Sequence, residues 1–210
     1  MLRTLTGALL ALLLPLAAAP APAPVPAAAA SDAPTYTPTG AMNLPANYRE
    51  WIFLSSGLDI SYTTPNAAAA GHSVFQNVFV NPSSYRAFLA TGTWPDKTTL
   101  VLEIRAAEPK ASIDRRGQTQ ADIRTVEVHV KDAKHLSGGE WGFFEFGSGA
   151  TANMTERTAA CYTCHQAHAA VDTTFVQFYP TLIGLAKAKG TLSPEYLKEA
   201  SAPPAPPEAK

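Results

Sequence analysis

The stretch CYTCH at residues 161–165 constrains this chain more than any other part of its sequence. The chain has only two cysteines, Cys161 and Cys164, and His165 directly follows the second. C-x-x-C-H is the attachment signal for a c-type haem: two thiols about one helical turn apart add to the two vinyl groups of the porphyrin, and the histidine ligates the iron. The motif therefore predicts one covalently attached haem c, with His165 as the metal ligand.

The two ends of the chain are typical of segments outside a folded domain. Residues 1–30 contain an apolar run that is short for a membrane span and then small residues, as in an export signal cleaved near Ala30. Residues 31–43 and 198–210 are rich in alanine and proline and predict a flexible leader and a disordered tail. The remaining residues, 44–197, have the size of one ordinary domain. We expect a periplasmic protein.

The charge balance bears on the partners of this domain. Lysine and arginine total 16 against 17 aspartate and glutamate residues, so the chain is close to neutral. Nucleic acids and anionic membranes are bound by basic stripes, which this sequence lacks. We expect neither as a partner.

Two other uses of the cysteines fit the sequence less well. An exported chain could join Cys161 to Cys164 in a disulfide, but C-x-x-C bridges normally open a helix in a thioredoxin-like βαβ frame, and no such pattern is visible. A structural zinc site needs four ligands, and the remaining histidines are scattered along the chain.

The sixth coordination position of the iron, opposite His165, distinguishes electron carriers from ligand-binding haem proteins, because a protein side chain usually occupies it in electron carriers. His168 lies one turn after His165 on the same helix, so it cannot reach the opposite face. Met154 could do so only if its loop folded over the haem edge. Surface positions are predicted for the other candidates: His72, His129 and His135.

Alternating patterns before the motif predict the fold class, α+β with a mainly antiparallel sheet and short helices. The segments SVFQNVFVNP, KTTLVLEIRAAE, DIRTVEVHVKD and WGFFEFG are predicted strands. NPSSYRAFLATGTW predicts a helix that begins at Asn81 or Ser83, has Pro82 in an early position and stops at Gly92. In VEVHV, Glu127 and His129 alternate with valines, which predicts a solvent-facing position for both. The haem would lie on a helix near the C-terminal end.

The sequence resembles the cytochrome P-460 family. The resemblance rests on YREW, NVFVNPSSY, GTWPD and the late CYTCHQAHAAVDTTFVQFYPTL, and it extends over about residues 44–185. It implies a mostly β, homodimeric periplasmic protein that holds a five-coordinate haem c with a ligand-accessible distal face. A redox partner protein is also possible.

One residue separates the two branches of that family. In the branch that oxidises hydroxylamine, a lysine on the strand after the G-x-x-x-D turn is bonded to the haem. Aligning that turn and the following glutamate places Leu102 at the lysine position, so no crosslink is expected. Lys97 is close in sequence but out of phase with residue 102. The chain therefore resembles the cytochrome c′-beta branch, whose apolar pocket, capped by phenylalanine, binds nitric oxide and carbon monoxide.

The apolar pocket also follows from the chemistry of its expected residues. Leu102 offers no hydrogen-bond donor. Phe75 and Phe79, four residues apart and therefore on the same face of one strand, are the predicted cap of the haem's distal face. Such a lining supplies no acid or base for peroxide cleavage, which favours neutral diatomic gases. Three functions remain open: gas binding, an enzymatic function (hydroxylamine oxidation or peroxidase activity), and electron transfer.

Overall fold

The computed structural model describes residues 31–62, 73–109 and 112–202, and residues from Asp32 onward belong to one compact unit. The strands are β1 (Met42–Asn43), β2 (Ile52–Leu58), β3 (Val74–Val80), β4 (Thr99–Pro109), β5 (Gln118–Lys131), β6 (Trp141–Glu145) and β7 (Thr151–Ala152). The helices are α1 (Pro82–Thr91), α2 (Ala160–His168), α3 (Ile183–Lys189) and α4 (Pro194–Ser201), with 3-10 turns at Tyr48–Glu50 and Val176–Phe178. No helix in the described ranges is long and apolar enough to cross a membrane.

Five strands form one antiparallel sheet in the order β2-β3-β4-β5-β6, so each strand pairs with its neighbours in sequence. β1 and β7 form a separate two-stranded sheet. The predicted α+β class is confirmed. Within the larger sheet, Leu102 on β4 pairs with Val78 on β3 and Glu127 on β5. Val101 pairs with Phe79 and Val128 on the opposite face, because side chains alternate along a strand.

The junction between β3 and α1 is fixed by one buried side chain. The Asn81 side-chain oxygen accepts a hydrogen bond from the Thr99 N–H at 2.9 Å, and its amide nitrogen donates to the Lys97 carbonyl at 3.2 Å. Pro82 occupies the first turn of α1, and Gly92 ends the helix in a left-handed conformation at φ 80°. Of the two predicted starts, the structure has Asn81 as the N-cap, and the predicted stop at Gly92 is confirmed. Asn81 ties the start of α1 to the start of β4.

An apolar cluster packs on each face of the sheet. The face that carries Leu102 is covered by α1, α3 and the segment after α2, and the opposite face by the N-terminal segment and β7. The first cluster includes Phe88, Trp94, Leu100, Val176, Leu182 and Ala186. The second includes Met42, Tyr48, Trp51, Val101, Val128 and Phe144.

A buried carboxylate lies on the face opposite Leu102. Glu103 is 3 % exposed and accepts hydrogen bonds from Tyr48, from the Arg49 Nε at 2.9 Å and from Arg105 at 2.9 Å. Burial alone would raise the pKa of Glu103, but the hydrogen bonds from Tyr48, Arg105 and Arg49 hold that pKa below its usual value. The network therefore compensates the buried charge and ties the N-terminal segment to β4.

We predict that Glu103→Gln lowers the free energy of unfolding by about 2–3 kcal/mol at neutral pH, because the hydrogen bonds to a charged acceptor are lost. Since the folded-state pKa is lowered, the stabilisation is fully present above the usual value of 4.5 and is lost as the pH falls through the folded pKa. Urea unfolding of both proteins over a range of pH measures this difference.

Glu108→Gln is the control for that experiment, because Glu108 lies on the same strand and is exposed. Its substitution should change stability by less than about 0.5 kcal/mol. A difference between Glu103→Gln and the parent that stays constant down to low pH would contradict the assigned role of the carboxylate.

Candidate functional site

The C-x-x-C-H motif lies on α2, beside a cavity of about 440 Å³. Cys161, Cys164 and His165 all line this cavity. Its volume is within the range of about 300–1,000 Å³ that is usual for ligand sites. The sheet forms the wall with Val78, Leu100, Leu102, Ile104, Glu127 and His129, and the segment after α2 contributes Thr174, Phe175, Phe178 and Tyr179.

The His165 imidazole is held by one hydrogen bond. Its Nδ1 lies 2.7 Å from the Thr173 carbonyl oxygen. Because a carbonyl can only accept, Nδ1 must carry the proton, and Nε2 keeps the lone pair that a metal requires. Burial lowers the pKa of His165, although the bond to Thr173 opposes this effect, so the ring is neutral at pH 7. A neutral imidazole is the form that ligates a metal.

Three rings enclose this imidazole. The centroid of Phe175 lies 4.1 Å from the centroid of His165, that of Phe143 4.7 Å and that of His129 5.0 Å. Phe143 also stacks on His129 at 4.0 Å with an interplanar angle of 9°. Packing of this kind restricts rotation of the His165 ring about its Cβ–Cγ bond.

Cys161 and Cys164 are not joined in a disulfide. Burial raises the pKa of Cys161 above its usual value, although hydrogen bonds from the backbone N–H groups of Tyr162 and Cys161 oppose this effect. A redox-active C-x-x-C pair has the opposite property, a thiol whose pKa is lowered. The environment of Cys161 is therefore that of an attachment residue more than that of a thiol-disulfide catalyst.

The structure places Leu102 in the cavity wall and requires a correction for the two predicted cap residues. Phe75 and Phe79 lie on the other face of β3, paired with Arg105 and Val101. Phe79 makes an edge contact with Tyr48 at 5.7 Å. The residues of β3 that line the cavity are instead Gln76 and Val78. Both faces of this strand carry mostly apolar side chains. The alternation alone therefore does not predict which face lines the cavity beside α2.

Glu127 brings a carboxyl group to a cavity that the sequence analysis expected to be hydrocarbon. It lines the cavity beside Leu102 and is half-buried. Burial raises the pKa of Glu127, and the charge of Glu145 raises it further. The lining therefore includes a potential proton donor and acceptor, which corrects the prediction that no acid or base is present.

His129 is buried, so the predicted solvent-facing position is wrong. It is 8 % exposed, lies against Trp141 at 4.4 Å between centroids, and lines the cavity. Burial lowers the pKa of His129 far below its usual value, with a smaller contribution from His165. The alternation in VEVHV is present in β5, but Trp141 and Phe143 of β6 and His165 of α2 cover the His129 side chain.

The other candidate ligands lie away from the cavity or outside the described residues. Met154 bridges to Phe144 and packs against the cluster around Met42. His168 is exposed and its Nδ1 lies 2.8 Å from Glu199 on α4. His135 pairs with Asp132 at 3.0 Å. His72 lies outside the described residues.

Two thiols and one neutral imidazole meeting at a largely apolar cavity fit a covalently bound haem. Cys161 and Cys164 would form the thioethers, and the Nε2 of His165 would ligate the iron. This arrangement defines the class: a c-type haem cytochrome built on an α+β scaffold.

Comparison with known proteins identifies the family within that class. The family model described as Cytochrome P460 matches residues 45–176, which is more than half of the chain and includes the whole C-x-x-C-H motif. The chain belongs to the cytochrome P460 family, and this membership implies a covalently bound c-type haem. No curated protein is similar enough to the chain to count as a match.

We predict that Glu127→Gln raises the free energy of unfolding at neutral pH. Because the folded-state pKa of Glu127 is raised, ionisation costs stability as the pH rises from the usual value of 4.5 through the folded pKa. The gain should be absent at lower pH and grow above that value. Urea unfolding between about pH 4 and about pH 7 measures it.

Glu145→Gln tests the cause of the shift, because it removes only the neighbouring charge. Its effect should have the same sign and be smaller, since burial is the larger cause. A gain for Glu127→Gln that does not vary with pH would show that packing, and not ionisation, is responsible.

Proposed function

We propose that this protein is an exported cytochrome whose haem c is five-coordinate and binds nitric oxide or carbon monoxide. The observation that carries the proposal is the cavity, which brings Cys161, Cys164 and His165 to a sheet wall that includes Leu102. A bound haem would supply an iron that takes up a neutral diatomic ligand. Leu102, Val78 and Ile104 exclude water from that space and donate no hydrogen bonds.

The lining supports an open sixth coordination position. Among the described lining residues, His129 is the other imidazole, and it makes an edge contact with His165 itself. Because the His129 ring packs against the His165 ring, it would lie on the same side of a bound haem as His165. Met154 is not part of the described lining.

The absence of a crosslinking side chain supports ligand binding over catalysis. No lysine stands among the described residues that line the cavity. Lys97 bonds to Asp132 and lies 3.6 Å from Asp96, at the turn before β4. We propose that Leu102 occupies the position of the family's crosslinking lysine, which would place the chain with the cytochrome c′-beta branch.

Hydroxylamine oxidation is the second candidate, and Glu127 favours it. A carboxyl whose pKa is raised by burial can accept a proton from a protic substrate and return it near neutral pH. In this alternative the electrons would pass to a redox partner protein. The two candidates therefore differ in whether Glu127 acts on the ligand.

The cellular setting is proposed from the sequence and the family. Members of the cytochrome P460 family are typically periplasmic. We propose that residues 1–30 direct export and are removed, and that the mature protein is a homodimer. Intact mass and light scattering of the purified protein test both statements.

The central experiment is an absorption spectrum of the purified ferrous protein before and after addition of carbon monoxide or nitric oxide. We expect a high-spin five-coordinate spectrum that changes on addition of either gas. Hydroxylamine oxidation, measured on the same sample, should be absent. Met154→Leu is the control and should leave the spectrum unchanged.

Three results would contradict the proposal. A mass without a porphyrin adduct would exclude the haem, and a low-spin six-coordinate spectrum would indicate an electron carrier. Hydroxylamine turnover that is lost in Glu127→Gln would favour the catalytic alternative.

We further predict that Leu102→Lys places an amine beside the haem edge. Hydrogen peroxide would serve as the two-electron oxidant: the lysine would lose an N–H and a bound porphyrin a C–H, one N–C bond would form, and the peroxide would be reduced to two waters. The treated variant should show a strongly red-shifted Soret band and a lysine–porphyrin bond by mass.

Ile104→Lys is the matched control, because residue 104 lies two positions along the same strand and also lines the cavity. It should not acquire the red-shifted band. An unchanged spectrum and mass for Leu102→Lys would contradict the assigned position of residue 102.

A further inference from the structure

The carbonyl that orients His165 lies in an unusual backbone segment. Asp172 and Thr173 adopt left-handed conformations, at φ 49° and φ 59°. Residues other than glycine adopt this conformation at a cost, and they keep it only where surrounding contacts hold it. The direction of the Thr173 carbonyl therefore depends on the contacts that hold Asp172 and Thr174, the residues on either side of it.

A single tryptophan holds both neighbours. The backbone N–H of Trp94 donates to the Asp172 carboxylate at 2.9 Å, and its indole N–H donates to the Thr174 hydroxyl at 2.8 Å. Trp94 is 2 % exposed and Thr174 is 1 % exposed. The Thr174 hydroxyl in turn donates to the Val171 carbonyl at 2.6 Å. Asp172 and Thr174, on either side of Thr173, are thus both hydrogen-bonded to the buried residue Trp94.

The start of the loop is also anchored. The Ser193 hydroxyl donates to the Ala169 carbonyl at 2.6 Å, and the Ser193 N–H donates to the Ala170 carbonyl at 2.8 Å. The Gln177 side chain accepts from the Ala170 N–H at 3.0 Å. The segment from α2 to Thr174 therefore has little freedom to move relative to the turn that carries Trp94.

We infer that Trp94 and Asp172 are positioning residues for His165, acting through the Thr173 carbonyl. By fixing that carbonyl they keep the proton on Nδ1 and set the orientation of the ring. A firm hydrogen bond at Nδ1 makes the imidazole a stronger electron donor to a metal at Nε2, which favours the oxidised metal. The inference rests on the haem c of the proposed function, but not on the choice between gas binding and oxidation.

The test compares Asp172→Ala with Asp172→Asn in the haem-loaded protein. The readouts are the iron–histidine stretching band of the ferrous protein, from resonance Raman spectra, and the reduction potential. Asp172→Ala should shift the band to lower frequency, broaden it and raise the potential. Asparagine tolerates a left-handed backbone and keeps an oxygen that can accept the Trp94 N–H, so Asp172→Asn should restore values close to the parent's.

Asp59→Ala is the matched control. Asp59 is also left-handed, at φ 55°, and its carboxylate accepts the Val74 N–H at 2.8 Å. This variant should lose stability without moving the band or the potential. An equal shift in Asp59→Ala would show that the effect is general and would overturn the inference.

Thr174→Val decides the question if Asp172→Ala does not fold. It keeps the side-chain volume and removes the acceptor of the indole N–H, so a shift of the same sign is expected. An unchanged band in Thr174→Val, or in a folded Asp172→Ala, overturns the inference while leaving the proposed function intact. A parent protein without haem would overturn both.

Discussion

The pairing register of β3, β4 and β5 is the constraint on which the rest of the structure depends. Side chains alternate along a strand, so a shift of one residue would exchange the two faces of the sheet. In the observed register, Val78, Leu102 and Glu127 line the cavity beside α2. Phe79, Val101 and Val128 lie with the cluster around Met42 on the opposite face. The composition of the cavity wall is therefore decided by pairing that is set far from the C-x-x-C-H motif in sequence.

Glu103 and Glu127, on adjacent strands, show that a buried carboxylate is stabilised on one face of the sheet and not on the other. Glu103 is surrounded by Tyr48, Arg49 and Arg105, and its pKa is lowered despite its burial. Glu127, on the cavity side, has a raised pKa and a second carboxyl nearby. A compensated charge of the first kind joins parts of a fold. An uncompensated one in a cavity is available for chemistry.

Much of this arrangement could be predicted from the sequence, because its strongest signals are local. The alternation in KTTLVLEIRAAE and DIRTVEVHVKD gives β4 and β5, and Asn81, Pro82 and Gly92 mark the ends of α1. The positions of Phe75, Phe79 and His129 were not predictable in this way, since they depend on which face α2 covers. The Thr173 carbonyl has no sequence signal, because a backbone oxygen belongs to every residue and its direction here is set by Trp94, about eighty positions earlier.

The helix and the sheet contribute separable properties to the site. α2 supplies both thiols and the imidazole, and the loop after it, held by Trp94, fixes the protonation of that imidazole. The sheet supplies the groups that a bound small molecule would meet, above all Leu102 and Glu127. Substitution at those two strand positions can therefore change reactivity without disturbing attachment of the cofactor. The same helix could serve a gas-binding protein or an oxidase, so function in such a domain must be argued from the strand residues that face the motif.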